Sequence, residues 1–238
     1  MPLAPFMQFR AVRDLWYNKR GDMMTQMMNL LLIRHALNDW VGKRLAGWTP
    51  GVHLNDEGRA QAAALAQRLA EVPLAAIYSS PLERTLETAQ PLAEAHGLAV
   101  QMRENLGEAR YGDWTGRELK ELNKEKLWPV IQVYPGGARF PGGESIREVQ
   151  ARLIAELDAI RDTHQGQTVA VVSHSDPIKL AVAHYAGLSL DLFQRLTISP
   201  ASITAFAFSR FGPRLLCLNH TDPLPSFKIE EKEQDEEQ

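Results

Sequence analysis

Apolar and polar positions along this chain switch repeatedly between two patterns. Short continuous apolar runs predict buried strands. Apolar residues spaced at three and four predict one face of a helix. Leu30–Ile33 is the first run. From Glu57 to Ala70, the residues Ala62, Leu65, Ala66 and Leu69 share a helical face, and Asn55 or Asp56 stands where an N-cap belongs. Leu74–Tyr78 is a second strand. Ser80-Pro81-Leu82-Glu83 then has the marks of a helix start, with Ser80 as cap, Pro81 first in the helix and Glu83 closing a capping box. Pro91 predicts a kink or an end to that helix. Leu98–Met102 is a third strand. A capping box at Ser145-Ile146-Arg147-Glu148 opens a helix with Ile146, Val149, Leu153, Leu157 and Ile160 on one side. Thr168–Val172 is wholly apolar or β-branched, which predicts a central strand. A helix from about Pro177 to Ala186 follows. Ile203–Phe208 and Leu215–Leu218, separated by Gly212-Pro213, predict a terminal strand pair.

This alternation predicts a three-layer α/β/α domain with a mainly parallel sheet, over residues 29–222. Residues 114–143 break it. They hold a short helical piece, Glu118 to Lys126, and then Pro129, Pro135-Gly136-Gly137 and Pro141-Gly142-Gly143. We read them as an insertion over one edge of the domain and a candidate lid. Residues 1–28 show no sustained period and read as a disordered arm. Met23, Met24, Met27 and Met28 crowd the approach to the first strand, so the native start is expected either at one of them or at the head of a genuine arm. Residues 223–238 are acidic and read as a solvated, disordered tail.

Bulk composition narrows the function classes. A chain of 238 residues with 45% hydrophobic and 23% charged residues is ordinary globular material. A net charge of −3 gives no electrostatic ground for nucleic acid or an anionic membrane as partner. The single Cys217 excludes an internal disulfide and a Cys-rich zinc site, and reads as a small core hydrophobe. No apolar run approaches the roughly 18 residues of a membrane span, and the N-terminus lacks the apolar core of a signal peptide, so a cytoplasmic protein is expected. No glycine pattern of a nucleotide-binding loop is present. The sequence leaves the oligomeric state open.

The chemistry collects just beyond the strands. Arg34 and His35 follow the first, Arg84 the second, Glu108 the third and His174 the fourth, within Ser173-His174-Ser175-Asp176-Pro177. In a largely parallel sheet these positions share one face, where open α/β folds bind ligands. Two arginines, two histidines and a glutamate there make an anion site with a proton donor. The helix starts near Arg84 and after His174 add backbone N–H groups.

The same segments resemble the histidine phosphatase superfamily, which includes cofactor-dependent phosphoglycerate mutases and many small phosphomonoesterases. Arg34-His35 is similar to its first motif. Leu45-Ala46-Gly47-Trp48, Leu54, Glu57-Gly58 and Gln61-Ala62 resemble the next stretch. Ser79-Ser80-Pro81-Leu82-Glu83-Arg84-Thr85-Leu86-Glu87-Thr88-Ala89 resembles the second signature. Glu108 with Tyr111-Gly112-Asp113-Trp114-Thr115-Gly116 resembles the acid-bearing loop, and Ser173-His174 the last motif. The resemblance implies phosphomonoester hydrolysis of a small phosphorylated metabolite, with neither metal nor cofactor. It implies His35 as nucleophile, Arg34, Arg84 and His174 as oxyanion holders, and Glu108 as proton donor. Asn38, where the family usually carries Ser or Thr, joins the expected phosphate- and substrate-binding set with Gly47, Arg110 and Tyr111.

Two departures qualify this. Ala36 replaces the glycine expected after the histidine, which predicts a narrowed pocket and strain if φ must be positive. Ala109 stands where mutases carry an arginine, and the insertion lacks an Arg-Arg pair. Hydrolysis is therefore favoured over a mutase-like phosphotransferase, although Arg110 or Arg139 remains available for an anionic substrate. A non-catalytic phospholigand-binding protein is the alternative of another class.

Overall fold

The computed structural model describes residues 27–221. The expectations for residues 1–26 of the arm and for the acidic tail, 223–238, lie outside the described residues; Met28, expected in the arm, is instead the buried first residue of the first strand. Six strands form one sheet: β1 (Met28–Arg34), β2 (Leu74–Ser79), β3 (Val100–Met102), β4 (Thr168–Ser173), β5 (Ile203–Ser209) and β6 (Gly212–His220), in the order β3-β2-β4-β1-β5-β6. β1 with β4, β4 with β2 and β2 with β3 are parallel; β1 with β5 and β5 with β6 are antiparallel. The parallel part brings the carboxyl ends of β1, β2 and β4 together. β4 lies inside the sheet, as its wholly apolar sequence predicts.

Alternate residues of each strand point to opposite faces. Leu31, Ile33, Ile77, Ala170 and Val172 pack against Leu65, Ala66 and Leu69 of α1 (Asp56–Leu69) and Ala89, Leu92 and Ala93 of α2 (Glu83–His96). Leu30, Leu32, Tyr78, Val169 and Val171 face the other way. They meet Val149, Leu153 and Leu157 of α5 (Ile146–Thr163) and Ile178, Ala181 and Val182 of α6 (Ser175–Tyr185). The result is a three-layer α/β/α sandwich. Residues 114–143 hold α3 (Leu119–Leu122) and α4 (Trp128–Val133), and send Trp114, Leu122, Ile131 and Phe140 into the same core as α5. The helical piece is thus shorter than Glu118 to Lys126. Among the described residues no helix is long and apolar enough to cross a membrane.

Several local expectations are corrected. β1 runs on through Arg34, so the guanidinium hangs from the strand's last residue. α2 begins at Glu83, with Leu82 as an N-cap that offers no side-chain bond. Ser80 lies two residues before the cap; its hydroxyl accepts the Leu82 N–H at 3.4 Å and lies 2.9 Å from His174 Nε2, while the Glu83 carboxylate accepts the Gly51 N–H at 2.9 Å. α2 also continues past Pro91 to His96, so Pro91 does not end it; buried Leu92 and Ala93 hold the following turn on the sheet. The third strand is shorter than expected, Val100–Met102, and Gly212-Pro213 begin β6 rather than precede it. Asn55 caps α1 through Gly58 N–H, and the Ser145–Glu148 capping box is complete.

Candidate active site

Three strand ends set the frame. Arg34 is in register with Ser173, the His35 N–H donates to Ser173 O at 2.9 Å, and the Ser80 N–H donates to Val172 O at 3.0 Å. Arg84 enters from the first turn of α2, and His174 is the N-cap of α6. Glu108 lies past a 3-10 turn, Glu104–Leu106, that follows β3. Arg34, His35, Asn38, Arg84, Glu108 and Tyr111 line one cavity of about 160 Å³, joined by Ser175 and Asp176 from the start of α6.

Hydrogen bonds fix the protonation pattern. His35 Nδ1 is 2.7 Å from Ala36 O, so Nδ1 carries the proton and Nε2 keeps its lone pair. Burial, then the charges of Arg84 and Arg34, hold the His35 pKa well below the ordinary histidine value. Arg84 is 1% exposed; its Nη2 donates to Gly47 O at 2.8 Å and lies 3.2 Å from His174 Nδ1. Since a guanidinium only donates, His174 Nδ1 accepts and its Nε2–H donates to Ser80. Burial followed by the Arg84 charge keeps His174 neutral. Arg34 Nη1 donates to Ile198 O at 2.6 Å. Three other guanidinium nitrogens, Arg34 Nε, Arg84 Nε and Arg84 Nη1, are buried and find no acceptor among the described residues. Buried donors are ordinarily satisfied, so these point to an anion.

Glu108 is 8% exposed, and burial with the nearby Asp176 raises its pKa to about 7 despite the two arginines. Its Oε1 accepts the Ala109 N–H at 3.0 Å. Tyr111 OH donates to Asp176 Oδ2 at 3.2 Å; burial and the Asp176 charge push its own pKa well above the usual tyrosine value. Asn38 Oδ1 accepts the Trp40 N–H at 2.9 Å, which leaves the amide NH₂ for the cavity.

Some expected residues fall elsewhere. His174 is fully buried, does not line the cavity, and has both nitrogens engaged; it stands behind Arg84 and meets the His35 ring edge-on at 5.3 Å. Gly47 does not line the cavity either. It serves through its carbonyl, and its φ of +51° suits glycine. Arg110 lies over the Trp48 ring at 4.0 Å and pairs with Glu104, away from the cavity. Ala36 neither narrows the cavity nor takes a positive φ. Its side chain is buried with Leu54, Ala62 and Ala201. Asp176 and Ser80 were missed as site residues. Asp176 gave one signal, an acid two positions after His174, and Ser80 read as a helix cap.

Residues 30–221 match the histidine phosphatase superfamily (branch 1). Phosphoserine phosphatase 1 of Hydrogenobacter thermophilus is 34% identical over 209 residues, 86% of this chain and 98% of that protein. Bacillus stearothermophilus YhfR superposes with a TM-score of 0.77 at 28% identity, covering 82% of this chain and 98% of its own. The phosphoserine phosphatase of Entamoeba histolytica, solved with 3-phosphoglyceric acid, gives a TM-score of 0.75 at 27% identity over the same shares of each chain.

Proposed function

This chain belongs to the histidine phosphatase superfamily and is a phosphomonoester hydrolase of that family, and we propose that it works through a phosphohistidine on His35. The observation that carries the proposal is the trio of unpartnered guanidinium N–H groups beside a histidine whose Nε2 is unprotonated. Arg34 Nε and Arg84 Nε and Nη1 hold the phosphoryl oxygens, and the Asn38 amide adds a donor. The His35 Nε2 lone pair forms the N–P bond as the ester P–O bond breaks. Glu108, protonated in part near neutrality, passes its proton to the leaving alkoxide. The resulting carboxylate then takes a proton from water as that water attacks phosphorus. The N–P bond breaks, and inorganic phosphate and neutral His35 are released.

His174 serves here by orienting Arg84, not by touching the phosphoryl group. The arginines supply the positive charge that phosphoryl transfer needs, so turnover should survive chelation. Arg110 pairs with Glu104, and Arg139 with Glu148. Neither is free to hold a second anionic group over the cavity, which favours hydrolysis over a mutase reaction. The Hydrogenobacter relative's activity and the 3-phosphoglyceric acid in the Entamoeba structure support a small phosphorylated metabolite as substrate.

The test is hydrolysis of p-nitrophenyl phosphate in excess EDTA, followed by acid quench of a Glu108→Gln variant incubated with labelled substrate. We expect turnover with EDTA, acid-labile phosphate on His35, and a loss of roughly 10²–10⁴ in kcat for Glu108→Gln on an alkyl phosphate. Full activity of His35→Ala would sink the proposal.

A further inference from the structure

The loop that carries Glu108 is held by its main-chain oxygens. From residue 105 to residue 108 each carbonyl accepts a side chain from a distant segment. Arg152 Nη1 donates to Asn105 O at 2.8 Å and to Gly107 O at 3.0 Å. Ser173 Oγ donates to Leu106 O at 2.7 Å. Glu108 O accepts both Arg152 Nη2 at 2.9 Å and Trp48 Nε1 at 2.7 Å. Residues 106–109 are buried, so their carbonyls need partners, and those of 106–108 take them from side chains far off in sequence.

Arg152 is itself braced. Its Nε donates to Glu144 Oε1 at 2.7 Å and its Nη2 to Oε2 at 3.0 Å, with the side chains only 17% and 16% exposed. Glu144 Oε2 accepts the Arg110 N–H at 2.8 Å, and the Glu144 N–H donates to Arg110 O at 2.9 Å. One ion pair therefore holds residue 108 by its carbonyl and residue 110 by its amide and carbonyl. Ala109 alone lies between, and its N–H is the group that meets Glu108 Oε1.

We propose that Arg152, braced by Glu144, is a positioning residue for the Glu108 carboxyl, fixing the peptide on either side of Ala109 so that the acid points into the cavity. It does not touch substrate. The role needs the planar guanidinium fork, because the bonds leave from Nε, Nη1 and Nη2 in different directions; a lysine ammonium cannot reproduce them. The inference rests on reading Glu108 as the proton donor.

Arg152→Lys tests it, since the charge stays and only the fork is lost. We expect kcat on phosphoserine, an alkyl phosphate with a poor leaving group, to fall about tenfold or more, with KM within about twofold. The alkaline limb of kcat should move to higher pH, because a carboxylate that loses an N–H donor ionises less readily. On p-nitrophenyl phosphate, whose phenolate leaves with little help, the loss should be much smaller. Unchanged kcat and limb overturn the proposal. So does an equal loss on both substrates with the limb fixed, which marks general damage to the fold. Should Arg152→Lys not fold, Trp48→Phe removes the other donor to Glu108 O while keeping a ring beneath Arg110. The same substrate-selective signature then supports the proposal and its absence overturns it. Failure of the underlying reading shows separately, as full alkyl-phosphate turnover by Glu108→Gln.

Discussion

At the scale of single residues, the site depends on two groups held away from their usual protonation by opposite means. His35 is kept neutral by burial beside two guanidinium groups, and Glu108 is pushed toward its protonated form by burial beside another carboxylate. The sign of the pH dependence follows. Activity that needs the Glu108 proton is lost as pH rises through about 7, while His35 stays unprotonated well below its ordinary pKa. Asp176→Asn removes the negative neighbour, so Glu108 ionises more easily. The alkaline limb of kcat/KM on an alkyl phosphate should move down by roughly 0.5–1 pH unit. Substrate ionisation near pH 6 is common to both enzymes and cancels in the comparison. An unmoved limb in the measured pH–rate profile would remove Asp176 from this role. The sequence showed Glu108 as an acid in a loop but not its tuning. Asp176 sits in the first turn of a helix, where acids are commonplace, and only the fold shows that this turn faces the cavity. Ala36 shows the reverse error. Its side chain belongs to the small cluster with Leu54, which motif comparison alone could not tell from the pocket.

At the scale of elements, the helices that the sequence marked best are those whose periodicity and packing carry the same information. α1 and α5 bury the residues that the three-and-four spacing selects, and their caps are made by the expected side chains. The start of α2 was misjudged at Ser80, and Pro91 does not end the helix, because tertiary demands outweighed local preference. Ser80 is bonded to His174, a contact across 94 positions of sequence that no local pattern encodes. The two serve as a contrast. Ser80→Ala should leave His174 Nε2–H without an acceptor, loosen Arg84, and lower kcat about three- to tenfold. The genuine cap variant Asn55→Ala should cost about 1 kcal/mol in urea unfolding and leave turnover unchanged. If Ser80→Ala instead behaves like the cap variant, losing stability with kcat intact, Ser80 is an ordinary helix-start residue and the orienting chain from Ser80 through His174 to Arg84 falls.

At the scale of the whole molecule, parallel pairing of β1, β4 and β2 places Arg34, His35, His174 and Arg84 at one edge although they span 140 positions of sequence (174 − 34). That convergence was legible because alternating strands and helices imply a parallel sheet, and a parallel sheet puts every strand's carboxyl end on one side. The geometry within the edge was not legible, since it depends on side-chain contacts such as Arg84 with Gly47. The same convergence has an energetic consequence for the entire fold. A buried and a half-buried cation, Arg84 and Arg34, face one cavity with three unsatisfied nitrogens, and burial lowers both guanidinium pKa values. The folded state carries that cost, and an anion in the cavity relieves it. Inorganic phosphate, the reaction's product, should therefore stabilise the whole protein and not the site alone. At a hundred times its Kd, mass action gives about 2.7 kcal/mol. For a chain of this size that is a rise in Tm of roughly 5–10 °C, whereas chloride at equal ionic strength should give little. Arg84→Gln should abolish the rise. It should also start from a Tm no lower than expected for loss of the Gly47 contact, because one of the opposed cations has gone. A calorimetric scan in which phosphate and chloride shift Tm equally, or in which Arg84→Gln responds like the parent, would show that the paired arginines are not the anion site.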